Sequence, residues 1–326
     1  MNEVPATGDA AVVAAISSGQ VRAAAKLISR IESGDADAIS VVQTLYRLGG
    51  HTPIIGITGP PGAGKSTLVD QLIAHYRARQ QCVAVLAVDP SSPFTGGAIL
   101  GDRVRMGRHN TDAGVFIRSM SARGRLGGLA RATGDTLIVL DAMRWDLIIV
   151  ETVGVGQSEI DILRHAHSVV ILQTPGAGDV VQAVKAGLLE VGDVFAVNKA
   201  ELDGADRTVA GLREAIEFRH GMRGAGHWQP PVLKTQASSG DGIADLVAAI
   251  DAHLAHLAAH PEQRQLRLRE QARIRLLELV TETLRLRYAE ALAHDAGLSA
   301  LLDDLIARRQ DPHGAAAGLL AALAKP

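Results

Sequence analysis

The stretch GPPGAGKST, Gly59–Thr67, directly follows the short apolar run Pro53–Thr58. It matches the Walker A pattern, in which glycines let the backbone curl so that several N–H groups point at phosphate oxygens. A helix that begins at about Lys65 adds the positive end of its dipole to this field. A glycine turn that contains Lys-Ser by chance would lack the preceding strand and the following helix. The stretch therefore predicts a P-loop that binds nucleotide phosphates.

Each position of this loop has a predicted role. Lys65 reaches the β- and γ-phosphates, and the hydroxyl of Ser66 is a ligand for Mg²⁺. The rest of the cradle is predicted to be the backbone of Gly59, Pro60, Pro61, Gly62, Ala63, Gly64 and Thr67.

Apolar runs alternate with helical stretches along the middle of the chain. Runs that are apolar on both faces predict an α/β fold with a mostly parallel P-loop NTPase sheet, covered by helices on both faces. Helical patterns precede and follow this region, including one long helix from Pro261 to His294. We expect an N-terminal helical extension at 1–48, a P-loop domain at 49–257 and a C-terminal helical arm at 258–326. The predicted strands lie at Pro53–Thr58, Cys82–Val88, Asp146–Val150, Ser168–Gln173 and in the run that ends at Asn198.

Composition excludes several classes of partner. The 326 residues carry a net charge of −2 and 3% aromatics, so neither a strong field nor stacking platforms favour nucleic acid. The basic stretch Arg264–Arg287 is interleaved with glutamates, which is typical of a solvent-exposed helix face with ion pairs between neighbouring side chains. Cys82 is the single cysteine, no apolar stretch is long enough to span a bilayer, and the N-terminus lacks a secretory pattern. We expect a cytoplasmic protein without membrane contact.

Acidic residues follow two of the predicted strands, at Asp89 and Glu151. Ligand chemistry in a parallel sheet gathers at the carboxyl ends of the strands, so both carboxylates are expected near Ser66 and a bound Mg²⁺. Asp102, in the irregular segment that begins at Pro90, is a third candidate ligand. A single acid is as often a helix N-cap or a solvated loop residue, but the pair after apolar strands favours a metal site.

Glu151 opens the stretch ETVG, in which Gly154 can offer its N–H to the γ-phosphate. Small GTPases carry Asp at the position of Glu151 and Gln after the glycine. Here Val155 follows Gly154, and Gln157 is two positions further on. The side chain that orients the attacking water therefore stays unassigned.

The run that ends at Asn198-Lys199 predicts the base pocket. In the Asn-Lys-x-Asp motif of GTPases the acid accepts hydrogen bonds from guanine, and the lysine stem covers the base. Glu201 stands at the acid position, and Asp203 is a competing candidate. A second predicted base loop comprises Gln236, Ala237 and Ser238. Together these features favour GTP, with ATP as the open alternative.

In this order the motifs resemble GTPases with Glu in the third G motif, above all the methylmalonyl-CoA mutase-associated GTPases, also called MeaB or ArgK. The likeness covers nearly the whole chain, and DPSSPFTGGAILGDR is its most specific part. The stretches that carry it are GPPGAGKST, VDPSSPFTGGAILGDRVRM, ETVGVGQSE, QTPGAGDVVQAVKAG and NKAE.

The resemblance implies a cytoplasmic homodimer joined through the C-terminal arm. It implies a G-protein chaperone that uses GTP, GDP and Mg²⁺ to gate cofactor loading of an adenosylcobalamin-dependent methylmalonyl-CoA mutase and to protect it. A cobalamin adenosyltransferase is a further implied partner. In that family Pro90–Arg105 is switch I, the ETVG loop is switch II, and Gln173–Lys185 is a third mobile loop. Arg105 and Lys185 thus join the candidate catalytic residues, and Lys185 is expected to respond to a partner.

Two alternatives stay open at this point. A nickel-insertion GTPase shares the core, but it needs soft or imidazole ligands, and the chain offers one cysteine and the pair His165 and His167. These histidines are better interpreted as core or surface residues. An ATP-dependent kinase is the other alternative. Binding measured with a panel of nucleotides distinguishes the ATP-dependent kinase from the two GTPases. Metal analysis of the purified protein distinguishes the nickel-insertion GTPase from the mutase chaperone.

Overall fold

The computed structural model describes residues 7–50, 52–89, 107–109, 111–121, 128–152, 165–176, 188–220, 227–293 and 297–323. Within this part of the chain seven strands form one sheet in the order β3-β2-β4-β1-β5-β6-β7, and every neighbouring pair is parallel. The strands are β1 Ile54–Thr58, β2 Val83–Asp89, β3 Val115–Ser121, β4 Leu147–Thr152, β5 Ser168–Gln173, β6 Val194–Val197 and β7 Val232–Lys234. The predicted parallel α/β fold is confirmed.

Helices precede, connect and follow these strands, and a short 3₁₀ turn at Gly107–His109 leads towards β3. The helices are α1 Thr7–Ser17, α2 Val21–Ser33, α3 Ala38–Tyr46, α4 Lys65–Ala78, α5 Gly128–Ala142, α6 Leu188–Val191, α7 Ala205–His220, α8 Ile243–Ala259, α9 Pro261–Ala293, α10 Leu298–Ile306 and α11 Pro312–Leu323. None of these helices in the described ranges is long and apolar enough to cross a membrane.

Both faces of the sheet are buried, which explains why its strands are apolar throughout. In β2, Val83 and Val85 point to a core shared with α4 and α8. Ala84, Leu86 and Val88 alternate with them and point to a core shared with the N-terminal helices and α5. A third cluster covers the β5–β6 end of the sheet with residues of α6 and α7.

The N-terminal helices are part of this body. Leu27 and Ile28 of α2 are fully buried in the core cluster that includes α5. Glu32 pairs with Arg118 of β3. The carboxylate of Asp141 accepts hydrogen bonds from the backbone N–H groups of Gly50 and Thr52, so the entry into β1 is fixed to the end of α5.

The chain divides into two compact units by its internal contacts, Met1–Ala272 and Arg273–Pro326. The division falls inside α9. The first unit holds the whole sheet and the first third of α9, and the second unit holds the rest of α9 with α10 and α11.

A buried polar network joins α8 and α9 to the amino ends of β5 and β6, at the edge opposite the P-loop. Asp193, just before β6, accepts two hydrogen bonds from Arg267 of α9 at 3.0 and 2.6 Å. His253 of α8 lies 3.0 Å from the Ser168 hydroxyl and 3.4 Å from the Asp193 carboxylate. His167 accepts a hydrogen bond from the Ile54 N–H at 2.9 Å. This geometry gives His167 a structural role.

Burial lowers the pKa of His253 to about 4, against an unfolded value of about 6.5. Arg267 and His256 act in the same direction, and Asp193 opposes them. Because the folded pKa lies below the unfolded one, the unfolded chain binds more protons between pH 6.5 and 4. Stability is therefore fully present above pH 6.5 and falls as the pH drops through this window.

We predict that His253 accounts for about 2 kcal/mol of the stability lost between pH 7.5 and 4.5. Urea unfolding at both pH values measures this loss. His253→Gln should show a smaller loss than the wild type by about that amount, whereas the exposed control His227→Gln should follow the wild type. Equal pH dependence of the wild type and His253→Gln would contradict the prediction.

Candidate functional site

The P-loop runs from the end of β1 to the start of α4 and lies against β5 and Asn198. A Cβ on Gly59 would collide with the backbone carbonyl of Leu172 in β5. Gly64 has a φ of +90°, and a Cβ there would lie 2.5 Å from the side-chain nitrogen of Asn198. These two glycines are therefore required by the close approach of neighbouring groups, as well as by the curl of the loop.

Lys65 closes the loop on itself. Its ammonium donates hydrogen bonds to the backbone carbonyls of Gly59 at 2.8 Å and Pro60 at 3.0 Å, and the residue is 7% exposed. The charge is thus held within the loop, where phosphate oxygens would compete with these carbonyls.

Glu151 lies in β4, level with Ile57 of β1 and Ala87 of β2. The residue is 1% exposed, and its carboxylate accepts a hydrogen bond of 2.7 Å from the hydroxyl of Ser66. The structure thus brings together two of the predicted metal ligands. Asp89 ends β2 at the same edge of the sheet and pairs with Ser121 through its backbone.

The Ser66–Glu151 pair fits a magnesium ion by its chemistry. A hydroxyl and a carboxylate are the oxygen donors that a hard divalent cation prefers, and together they bring one negative charge to the first turn of α4. The metal assignment of Ser66 and Glu151 remains a prediction. Beside the pair, Thr152 donates to Thr58 at 3.0 Å and joins the ends of β4 and β1.

Asn198 connects the P-loop to the predicted base loop. Its side-chain nitrogen donates to the carbonyl of Ala63 at 2.7 Å, and its oxygen accepts from the N–H of Ala237 at 3.0 Å and the hydroxyl of Thr235 at 3.3 Å. The residue is 2% exposed. Gln71 of α4 donates to the carbonyl of Ala237 at 3.1 Å, so the base loop is held from two sides.

The other predicted base contacts surround this amide. Lys199 is exposed and has a φ of +58°, which turns the chain sharply after β6. Glu201 and Asp203 are both exposed in the turn between β6 and α7. Gln236 is partly buried and Ser238 is exposed.

Four of the predicted site residues lie outside the described residues: Asp102, Arg105, Gly154 and Lys185. In sequence, each of these four residues follows a described strand. Asp102 and Arg105 come after β2, which ends at Asp89, Gly154 comes after β4, which ends at Thr152, and Lys185 comes after β5, which ends at Gln173. Sequence reasoning missed the polar residues that brace the site, namely Thr58, Thr152, Thr235 and Gln71. The three threonines lie at or just after strand ends, which is the signal that could have found them.

We predict that Asn198→Ala weakens GDP binding by at least tenfold. The change leaves the Ala63 carbonyl and the Ala237 N–H without a buried partner, and each such loss costs about 1–3 kcal/mol. Titration calorimetry measures the affinity, and thermal unfolding checks the fold. Gln71→Ala removes a bond to the same base loop but none to the P-loop, so it should change the affinity less than threefold. Unchanged GDP affinity in Asn198→Ala would refute the assigned role.

Known proteins resemble this chain in sequence and in fold. The family model for methylmalonyl-CoA mutase-associated GTPase MeaB matches residues 24–293. A protein of Pyrococcus abyssi described as a GTPase is 50% identical over 260 residues, which cover 80% of this chain and 79% of the relative. The GTPase ArgK of Escherichia coli is 39% identical over 236 residues, which cover 72% of this chain and 70% of the relative.

A solved structure of an LAO/AO transport system kinase aligns over 99% of both chains with a TM-score of 0.68. At 23% sequence identity this likeness concerns the fold alone. The family match spans most of the chain and includes the P-loop, Glu151 and Asn198. The chain belongs to the family of methylmalonyl-CoA mutase-associated GTPases named MeaB, and it is a GTPase.

Proposed function

We propose that this GTPase is a cytoplasmic G-protein chaperone of an adenosylcobalamin-dependent methylmalonyl-CoA mutase. Its GTP hydrolysis would gate loading of the mutase with its cofactor and protect the mutase from inactivation, with a cobalamin adenosyltransferase as a further partner. The observation that carries this proposal is the match to the MeaB family over residues 24–293. That match extends beyond the nucleotide site into α2 and along the whole of α9, so it includes part of each helical extension.

The chemistry of hydrolysis is assigned to the residues at the P-loop. Lys65 would exchange its two carbonyl acceptors for the β- and γ-phosphates and stabilise the charge that develops on them. Ser66 and Glu151 would hold Mg²⁺, with Asp89 and Asp102 as further ligands, and the metal when bound neutralises phosphate charge. Asn198 would fix the position of the predicted base loop relative to the P-loop and its bound phosphates.

Communication with the mutase requires GTP and GDP forms that present different surfaces. The segments that begin after Asp89, Thr152 and Gln173 all continue from strand ends on the nucleotide side of the sheet. Arg105, Gly154 and Lys185 are proposed to sense the γ-phosphate or the partner from these segments. A hydrolase that acts alone gains nothing from a third such segment.

We predict that the mutase accelerates GTP hydrolysis by the wild type, and that Lys185→Ala removes most of this acceleration while leaving intrinsic hydrolysis nearly unchanged. Steady-state phosphate release, measured with and without the mutase, tests both statements. Lys26→Ala, an exposed lysine of α2, is the matched control and should behave like the wild type. Lys65→Ala should abolish hydrolysis in both conditions.

Two outcomes of this experiment have different meanings. If the mutase leaves the wild-type rate unaltered, the proposed coupling is wrong. If the wild type and Lys185→Ala are accelerated alike, the coupling stands and the role of Lys185 is wrong.

We also propose that the chain forms a homodimer through α9. Leu276, Leu277, Val280 and Leu284 are 62%, 51%, 46% and 47% exposed. At about 100° per residue these four side chains fall within an arc of roughly 100° on one side of the helix. Such an apolar stripe is typical of an interface, and a second copy of the same helix covers it most simply.

We predict that Leu277→Glu/Leu284→Glu converts the dimer to a monomer, because it places charges in the apolar stripe. Sedimentation velocity at micromolar concentration distinguishes the 34.2 kDa chain from a species of twice that mass. Phe218→Glu in α7 removes an apolar residue that is even more exposed, at 83%, and should leave the dimer intact. A monomeric wild type would contradict the proposed dimer.

A further inference from the structure

Helix α4, which follows the P-loop, contacts the short turn Gly107–His109 between β2 and β3. Arg108 donates to both carboxylate oxygens of Asp70, from Nε at 2.9 Å and from its terminal nitrogen at 2.6 Å. The same terminal nitrogen donates to the backbone carbonyl of Asp70 at 3.0 Å. The side chain of His109 lies 3.1 Å from the Asp70 carboxylate. One acidic residue of α4 therefore holds two consecutive residues of the turn.

The geometry of this contact is restrictive. The side chains of Asp70 and His109 are 14% and 9% exposed, so most of the contact is shielded from water. The Arg108 side chain is 50% exposed, and its charge alone would contribute little stability. The planar guanidinium nevertheless binds two carboxylate oxygens and a carbonyl of Asp70, so it fixes both the orientation of the Arg108 side chain and its distance from α4.

Asp70 is also close to the nucleotide site along α4. It follows Ser66 by four residues, so the two side chains share a face of the helix about 6 Å apart along its axis. The Ser66 hydroxyl in turn contacts Glu151. The turn at Gly107–His109 is thus attached to the same face of α4 that carries the predicted metal ligand.

The chain that Asp70 holds is the return end of the connection that leaves β2 at Asp89. In sequence, this connection carries the candidate site residues Asp102 and Arg105 shortly before Arg108. We propose that Asp70, through Arg108, is a positioning residue for GTP hydrolysis: it fixes the return end of this connection relative to Ser66. This inference depends on the GTPase activity and is independent of the proposed mutase partner.

An ordinary stabilising role is the competing explanation, and the chain contains a matched control for it. Arg77 of α4 and Asp112 form a second two-pronged ion pair between the same helix and the same connection, at 2.8 and 2.9 Å. Arg77 is seven residues beyond Asp70, about 10 Å further from the P-loop along the axis. Both pairs attach the connection to α4, but the second lies away from the nucleotide end.

The experiment compares intrinsic GTP hydrolysis, without any partner, in Asp70→Asn, Arg108→Gln and Asp112→Asn. We expect kcat to fall roughly tenfold or more in the first two variants, because small displacements of reacting groups have effects of this size or larger. Their GDP affinity should stay within threefold of the wild type. Asp112→Asn should lower the thermal unfolding midpoint while kcat stays within twofold.

Two further measurements make the test decisive. The double variant Asp70→Asn/Arg108→Gln should lose no more activity than Asp70→Asn alone, since Arg108→Gln breaks a contact that Asp70→Asn already removes. Arg108→Lys should recover part of kcat. The proposal is overturned if kcat in Asp70→Asn and Arg108→Gln stays within twofold of the wild type, or if Asp112→Asn loses as much. It is also overturned if the losses appear in GDP affinity instead of kcat.

Discussion

The hydrogen bond between Ser66 and Glu151 is the contact on which the proposed nucleotide site depends. It joins the first turn of α4 to the end of β4, across β1 from which the P-loop emerges. Both groups are buried, so their mutual position is set by the sheet register rather than by side-chain freedom. A glutamate, one methylene longer than aspartate, spans from the strand to the helix directly. We propose that Mg²⁺ and the γ-phosphate bind where this hydrogen bond lies.

Lys65, the charged residue of the P-loop, is also held in place by hydrogen bonds. Lys65 donates to two backbone carbonyls of the loop, which hold its ammonium within the P-loop. On nucleotide binding, phosphate oxygens would compete with these carbonyls for the Lys65 ammonium. Asn198 extends this order to the base loop through Ala63 and Ala237. The predicted phosphate and base subsites are therefore parts of one hydrogen-bonded unit.

Much of the fold could be predicted from sequence, because the deciding signals are local. The P-loop, the start of α4 at Lys65 and the parallel strands followed from glycines and apolar runs. Strand β3 was not predicted, since Arg118 and two serines interrupt its apolar pattern. The break between α1 and α2, at Gly19 with a φ of +82°, was not predicted either.

The contacts that brace the site could not be predicted, because they join residues far apart in sequence. The bonds of Asn198 to Ala63 and of Arg108 to Asp70 depend on the packing of α4 against the sheet, which no local pattern encodes. The apolar residues of the stripe on α9 can be seen in the sequence, whereas their exposure is seen only in the structure.

A structure with Mg²⁺ and a non-hydrolysable GTP analogue shows whether the metal and the γ-phosphate bind at the Ser66–Glu151 contact. The account predicts that the Ser66 hydroxyl enters the first coordination shell of the metal, and that at least two of Asp89, Asp102 and Glu151 lie in the first or second shell. The hydrogen bond from Ser66 to Glu151 should then be replaced by their shared contact with the metal or its water. A metal bound without Ser66, or with two of the three acids beyond its second shell, would contradict the account.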